Sequence, residues 1–406
     1  MRKHLAFMLA ACMITSLTGC AEQAPKEEPK SEPSQTVVAE QPSIEVKQEK
    51  EDVSMFKGSE YDKAFKMLSL LDNEENVMIS PLSINTAIDM ASYGLLDEYA
   101  AELDKYYGKS LAERTEAYKN MEVNADVLKI ANSLWVRDRL MGDVSDTFVN
   151  NLTSNYEAEV AEFNSESAPV INDWVKEKTN GMIDSIIGEI PDELSTIVMN
   201  ALYFNGEWIE PFDTDYDVVD ETFESTKGKQ DCKMMYGEVG SYMENKQATA
   251  FKKPYKNGYY FVGILPKKDK LDIENFDFND LLESETYEYD VKISIPKFES
   301  EYSTSLTDVL CQMGIGFIFE PGAVNNVLKP DAAEDLVISD IIHKTAIKMT
   351  ESGTEAAAVT AVMMDKCAIV LEEPKVKEVY LNRPFLYAIT DSEDNILFIG
   401  TVNTVE

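Results

Sequence analysis

Apolar residues recur at helical spacing early in the chain and in strand-like runs later. Tyr61, Phe65 and Leu68 fall three or four residues apart, which predicts a helix over Tyr61–Leu71, and a similar period runs through Ser83–Leu96. Ile171–Ile187 reads as an amphipathic helix interrupted at Asn180-Gly181. Runs rich in β-branched and aromatic residues predict strands over Ile130–Val136, Ile197–Phe204, Tyr259–Leu265 and Val291–Phe298. Further strands are predicted over Ile341–Met349, Phe385–Thr390 and Ile396–Val402. Helices dominate the first third and strands the last half, which disfavours regular strand–helix alternation and predicts an α+β architecture. No internal repeat is visible.

One stretch has a chemistry of its own, Glu351-Ser-Gly-Thr-Glu-Ala-Ala-Ala-Val-Thr-Ala-Val362. Gly353 frees the backbone to swing. Small or β-branched residues follow, with no proline and, past Glu355, no charge until Asp365. Proline would block strand pairing, so its absence leaves the segment able to become a central strand. In an extended chain Thr354, Ala356, Ala358, Thr360 and Val362 share one face, and they are small enough to slip between existing strands. On composition alone a short Ala-rich helix stands as the alternative.

Composition narrows the classes of partner. The 406 residues are 44% hydrophobic, ample for a large core, and length alone would allow two or three domains. Lys and Arg total 37 against 74 acidic residues, a net charge of −37. Nucleic acid, which needs basic patches, is thereby disfavoured as a partner, whereas cationic proteins would be drawn to such a surface. The main consequence of the charge is solubility.

The N-terminus carries a targeting pattern. Arg2, Lys3 and His4 form a basic start, and the apolar run Leu5–Leu17 is too short to span a bilayer permanently. It ends in Leu17-Thr18-Gly19-Cys20, which resembles the bacterial lipobox, where a peptidase cuts before the cysteine and the thiol carries lipid. Residues 1–19 are thus expected to be a lipoprotein signal peptide, with Cys20 anchoring the chain to a membrane. Residues 20–54, a mix of Glu, Lys, Pro, Gln and Ser with few apolar side chains, read as a tether. The globular part is expected over 55–406. With Cys20 lipidated, Cys232, Cys311 and Cys367 remain, so at least one thiol is unpaired, and no Cys-x-x-Cys spacing suggests zinc or redox chemistry.

Catalytic motifs are missing. Outside the leader the chain holds one histidine, His343, in the apolar strand-like run Ile341–Met349, where it reads as a hydrogen-bonded core group. Any Ser-His-Asp or Cys-His arrangement would have to use it. No Gly-x-Ser-x-Gly, His-Glu-x-x-His or Walker loop is present, and neither metal nor cofactor is called for.

Glu351-x-Gly-Thr-Glu-Ala-Ala-Ala-x-Thr360 resembles the hinge signature of the serpins, and other motifs follow in family order. They are Asn76-Val-Met-Ile-Ser-Pro-Leu-Ser-Ile84, Ile171-Asn-Asp-Trp-Val175 with Thr179-Asn-Gly181, and Asn200-Ala-Leu-Tyr-Phe-Asn-Gly-Glu-Trp208 with Pro211-Phe212. Ile295-Pro-Lys-Phe298, Leu310–Phe319, and Asn382-Arg-Pro-Phe385 with Leu397-Phe-Ile-Gly400 complete the set, which covers nearly all of 55–406. The resemblance implies one serpin domain of three β-sheets, about eight or nine helices and an exposed reactive-centre loop that is cut and then inserts into a sheet. It gives Glu351, Gly353, Thr354, Glu355, Ala356, Ala357, Ala358 and Thr360 the role of hinge. It implies that His343 bonds Asn200 near Ser80 and Ser83 where the sheet parts, and that Lys297 and Glu351 pair at the top of the sheet beside Trp208.

By the family's spacing the scissile bond lies about fourteen residues past Gly353, at Cys367-Ala368, with Lys366 or Met364 as alternative primary contacts. The implied partner is a serine protease of elastase-, subtilisin- or trypsin-like preference, trapped by a monomer displayed on a bacterial envelope. A non-inhibitory binding protein, or an inhibitor of cysteine proteases, stands as the alternative.

Overall fold

The computed structural model describes residues 54–71, 74–121, 124, 126–268, 272–330, 332, 336–354 and 375–405. The leader, Cys20 and nearly all of the tether lie outside the described residues. So do Glu355, Ala356, Ala357, Ala358, Thr360, Met364, Lys366, Cys367 and Ala368. The described residues carry nine α-helices and three β-sheets, an α+β fold.

The main sheet has seven strands. Leu128–Arg137 pairs parallel with Glu159–Phe163 on one side and antiparallel with Thr196–Phe204 on the other. Thr196–Phe204, here the asparagine strand, carries Asn200 and pairs parallel with Asp340–Thr350, the histidine strand, which carries His343. Phe298–Ser305 closes the far edge. Two-residue strands at Gly206–Glu207 and Gly353–Thr354 complete the sheet. The asparagine strand is buried on both faces because the sheet is covered on both. The histidine strand alternates instead: Ile341, His343, Thr345, Ile347 and Met349 point to the core.

Helix Pro81–Ser92 lies in that core and has ten buried residues, packed against both the asparagine strand and Ile396–Val402 of the six-stranded sheet. Ser80 caps it, accepting from the amide of Ser83 at 3.1 Å, and Pro81 suits the first turn because its missing N–H would have had no helical partner. This start, two residues before Ser83, brings both serines against the His343–Asn200 ladder pair. Helix Ala168–Lys178 crosses the opposite face and buries Ile171, Trp174 and Val175 among Trp135, Phe163, Ile197 and Met199.

Several expectations needed correction. The helix expected through Ile187 ends at Lys178, because Asn180 (φ 55°) and Gly181 (φ 80°) turn left-handed and the Gly181 amide closes back on Lys176. Asn172 then holds the returning chain, accepting from the amides of Ile186 and Ile187 and donating to the Ile187 carbonyl. The single strand expected over Val291–Phe298 is two, Tyr289–Pro296 in the four-stranded sheet and Phe298–Ser305 in the main sheet. The change of sheet falls at Lys297, whose amide still donates to the Lys233 carbonyl at 2.8 Å before the chain enters the main sheet at Phe298. The hairpin of Val218–Ser225 and Gly228–Val239 was not expected, since its exposed positions are largely charged and its strand period is masked.

Candidate functional site

The top of the main sheet holds residues 351–354, the last described residues before position 355. Glu351 and Ser352 form a turn, after which Gly353 and Thr354 run antiparallel to Thr350 and Met349 and also to Glu207 and Gly206. Gly353 and Thr354 of the hinge therefore already sit between two strands of the sheet. The approach is close. Gly353 has φ +150°, and a Cβ built on it would lie 2.0 Å from the Gly206 carbonyl oxygen, so no other residue fits without moving one strand.

Thr354 is buried to 2% exposure, and its hydroxyl lies 2.6 Å from the Tyr255 hydroxyl. Tyr255 stacks flat on Trp208, with ring centroids 4.1 Å apart. Trp208 donates its amide to Ser352 O (2.9 Å) and its indole N–H to Thr350 O (3.2 Å), while the Phe212 amide donates to Glu351 O (2.9 Å). Residues 208–212 thus form a clasp around the root of the hinge. Beside it Lys297 Nζ and Glu351 Oε2 are 2.5 Å apart. Burial pushes the Glu351 carboxyl up, but the Lys297 hydrogen bond and charge outweigh it and the net shift is downward. The pair is partly exposed and is worth about 0–1 kcal/mol.

Lower in the sheet His343 stands opposite Asn200 in the ladder, but the two side chains do not bond. The Nε2 of His343 accepts the Ser80 amide (3.1 Å), which leaves the proton on Nδ1, 3.4 Å from Ser83 Oγ. Ser83 Oγ in turn donates to the Asn200 carbonyl. The Asn200 side chain turns the other way and donates to Asn132, its partner on Leu128–Arg137. Asn132 donates onward to Tyr156 O (2.7 Å) and Tyr118 Oη (3.1 Å). In place of the expected histidine–asparagine bond, His343 takes the Ser80 amide and Asn200 takes Asn132.

A Ser–His pair suggests hydrolysis, but the geometry excludes it. The nitrogen facing Ser83 carries the proton and cannot accept one, and both residues are buried away from substrate. Complete burial lowers the His343 pKa from 6.5 to about 4. Between about pH 6.5 and 4 the unfolded chain therefore binds a proton that the folded chain refuses. Stability is full above that window and falls as pH drops through it, by about 3 kcal/mol for this residue. His343→Gln should flatten the fall of melting temperature with pH over this range. An unaltered slope in the variant would place the acid sensitivity elsewhere.

Tyr255, Gly206 and Phe212 complete the hinge site, and Asn132 the histidine network. Of these only Gly206 and Phe212 fell within a motif noticed in the sequence, and neither was given a role. Their contacts come from strands far apart in the chain.

Comparison with known proteins is consistent with this geometry. Residues 62–405 match the family model described as serpin (serine protease inhibitor). An uncharacterized serpin-like protein of Thermococcus kodakarensis is 30% identical, with 97% of each chain covered. Leukocyte elastase inhibitor A of Mus musculus is also 30% identical, over 83% of this chain and 95% of its own. Among solved structures, the thermophilic serpin tengpin in its native state superposes with a TM-score of 0.75 at 32% identity, covering 87% of this chain and 96% of that one.

Proposed function

Because this chain belongs to the serpin family, we propose that it is a single-use trap for serine endopeptidases. The protease cuts the loop after Gly353 and forms an acyl-enzyme, and the freed hinge inserts into the main sheet before water can release it. The observation that carries this reading is the hinge strand already seated at the top of the sheet. Below it, the asparagine and histidine strands are joined over five ladder pairs only, Ile197–Ala201 with Asp340–Lys344. Admitting a strand between them breaks that short parallel ladder and builds two antiparallel ones.

The register supports the same reading. Thr354 stands opposite Met349. Continued downward, the antiparallel ladder sets Ala356 opposite Ile347, Ala358 opposite Thr345, Thr360 opposite His343 and Val362 opposite Ile341. Those four partners lie on the core-facing side of the histidine strand. The small side chains noted in the sequence are thus the ones that would enter the core.

In this reading the bait is Cys367-Ala368, with Lys366 or Met364 as the primary contact if the register differs. A lipid on Cys20 and the polar tether display the trap at a bacterial envelope. The test mixes the protein with trypsin, chymotrypsin, elastase, subtilisin and papain and separates each mixture under denaturing conditions. A covalent band near the summed mass is expected with at least one serine protease, and the released C-terminal peptide identifies the cut bond. Loop cleavage with no such band in any lane would leave a binding protein; a band with papain alone would move the target to cysteine proteases.

A further inference from the structure

Lys253, next to last in the strand Ala248–Pro254, is buried to 4% exposure, and among the described residues no carboxylate pairs with it. Its ammonium donates to the Glu210 carbonyl at 2.8 Å and lies 4.4 Å from the Phe212 ring centroid and 5.3 Å from that of Trp208. Trp208 and Phe212 are the two ends of the clasp and give their amides to Ser352 and Glu351; Glu210 is its middle. One buried charge thus holds the centre of the turn whose ends hold the hinge. A buried ammonium without a counter-ion is costly, so a lysine here is poorly explained by packing alone. Methionine would fill the same space, and the cation–π contacts and carbonyl bond are what it would lose.

We propose that Lys253 is a positioning residue of the hinge: its ammonium keeps the 208–212 clasp closed on Glu351 and Ser352, and so keeps Gly353–Thr354 seated in the sheet. The proposal deepens the insertion reading and rests on it for its functional consequence. Glu210 and Asp217 are the carboxylates whose charges favour the protonated amine, while Glu351 is engaged by Lys297. Tyr255 stays neutral, its phenol pushed well up by burial. Burial lowers the Lys253 pKa from 10.5 to about 8, so the clasp loosens as pH rises through that value. Global stability runs the other way. Between about pH 8 and 10.5 the unfolded chain holds a proton that the folded chain has lost, so this residue makes folding more favourable as pH rises.

The test is hydrogen exchange on the uncut full-length chain, resolved to peptides covering the clasp, for wild type, Lys253→Met and Lys253→Arg. Corrected for base catalysis, the Trp208 and Phe212 amides of the wild type should exchange slowly at about pH 6.5 and roughly tenfold faster at about pH 9.5. The methionine variant should be fast at both, with strands Phe385–Thr390 and Ile396–Val402 unchanged. The arginine variant should be slow at both, because arginine stays charged. Equal clasp exchange in methionine variant and wild type overturns the proposal, whatever happens with protease. If the methionine variant does not fold, the comparison of arginine variant with wild type across pH decides in the same way. In the trapping assay the methionine variant should be cut and released several-fold more often than wild type at about pH 6.5, and its melting temperature should hold or rise. A wild type that traps no protease overturns the insertion reading, while the exchange result still judges the latch.

Discussion

Thr354→Arg is expected to abolish covalent trapping and leave a chain that the protease cuts and releases. Thr354 is the first hinge residue whose side chain must enter the sheet, and it is already buried, with its hydroxyl on Tyr255. An arginine there must either bury a guanidinium beside the stacked Tyr255 and Trp208 rings or swing the strand out. Among the described residues, Glu351 on this turn already serves Lys297, and Glu207 on the neighbouring strand serves Lys256. An uncompensated buried charge costs several kcal/mol, enough to slow insertion at least about a hundredfold. Insertion competes with deacylation, so a slowdown of that size hands the outcome to water. The same gel that detects the covalent complex reads the result, as loss of the high-mass band and gain of cleaved inhibitor. Ala356→Arg should behave alike, since the continued register sets position 356 against Ile347. A variant that traps as well as wild type would mean that this strand does not enter the sheet.

Cleavage of the loop should raise the melting temperature by about 20–40 °C. An inserted strand of about ten residues forms ladders on both sides, at about 1 kcal/mol net per hydrogen bond, against the five pairs lost between Ile197–Ala201 and Asp340–Lys344. In a domain of this size each kcal/mol moves the midpoint by about 2 °C. Calorimetry on intact and loop-cut protein makes the comparison directly. A cut chain that melts at or below the temperature of the intact one would show that the hinge stops where it now sits, at Thr354. Together with the arginine variant this separates two questions: whether the sheet accepts the strand at all, and whether it does so fast enough to hold a protease.

Much of the architecture was legible because single positions carry it. The histidine strand is announced by its run of β-branched residues, and Ser80-Pro81 announces the start of the core helix through capping chemistry that acts within one turn. The start of the hinge was legible for the same reason, as a glycine whose backbone can take a conformation other residues avoid. The hairpin Val218–Ser225 with Gly228–Val239 was illegible because its core contact rests on few residues, such as Phe223, Met234 and Met235, among many charges. The change of sheet at Lys297 was hidden because the apolar run continues past it to Phe298.

What the chain by itself determined was local: where helices start, which strands face a core, and that the backbone at Gly353–Thr354 is free to pair as a strand. Those properties depend on side-chain size, branching and backbone freedom within a few residues. Only the tertiary structure decided how they are used. It seated Gly353 against Gly206, stacked Tyr255 on Trp208 beneath Thr354, turned the Asn200 side chain to Asn132 instead of His343, and put Lys253 under the clasp. Each of these joins positions far apart in sequence through distances of a few ångströms, and no periodicity along the chain encodes which remote partner will arrive there.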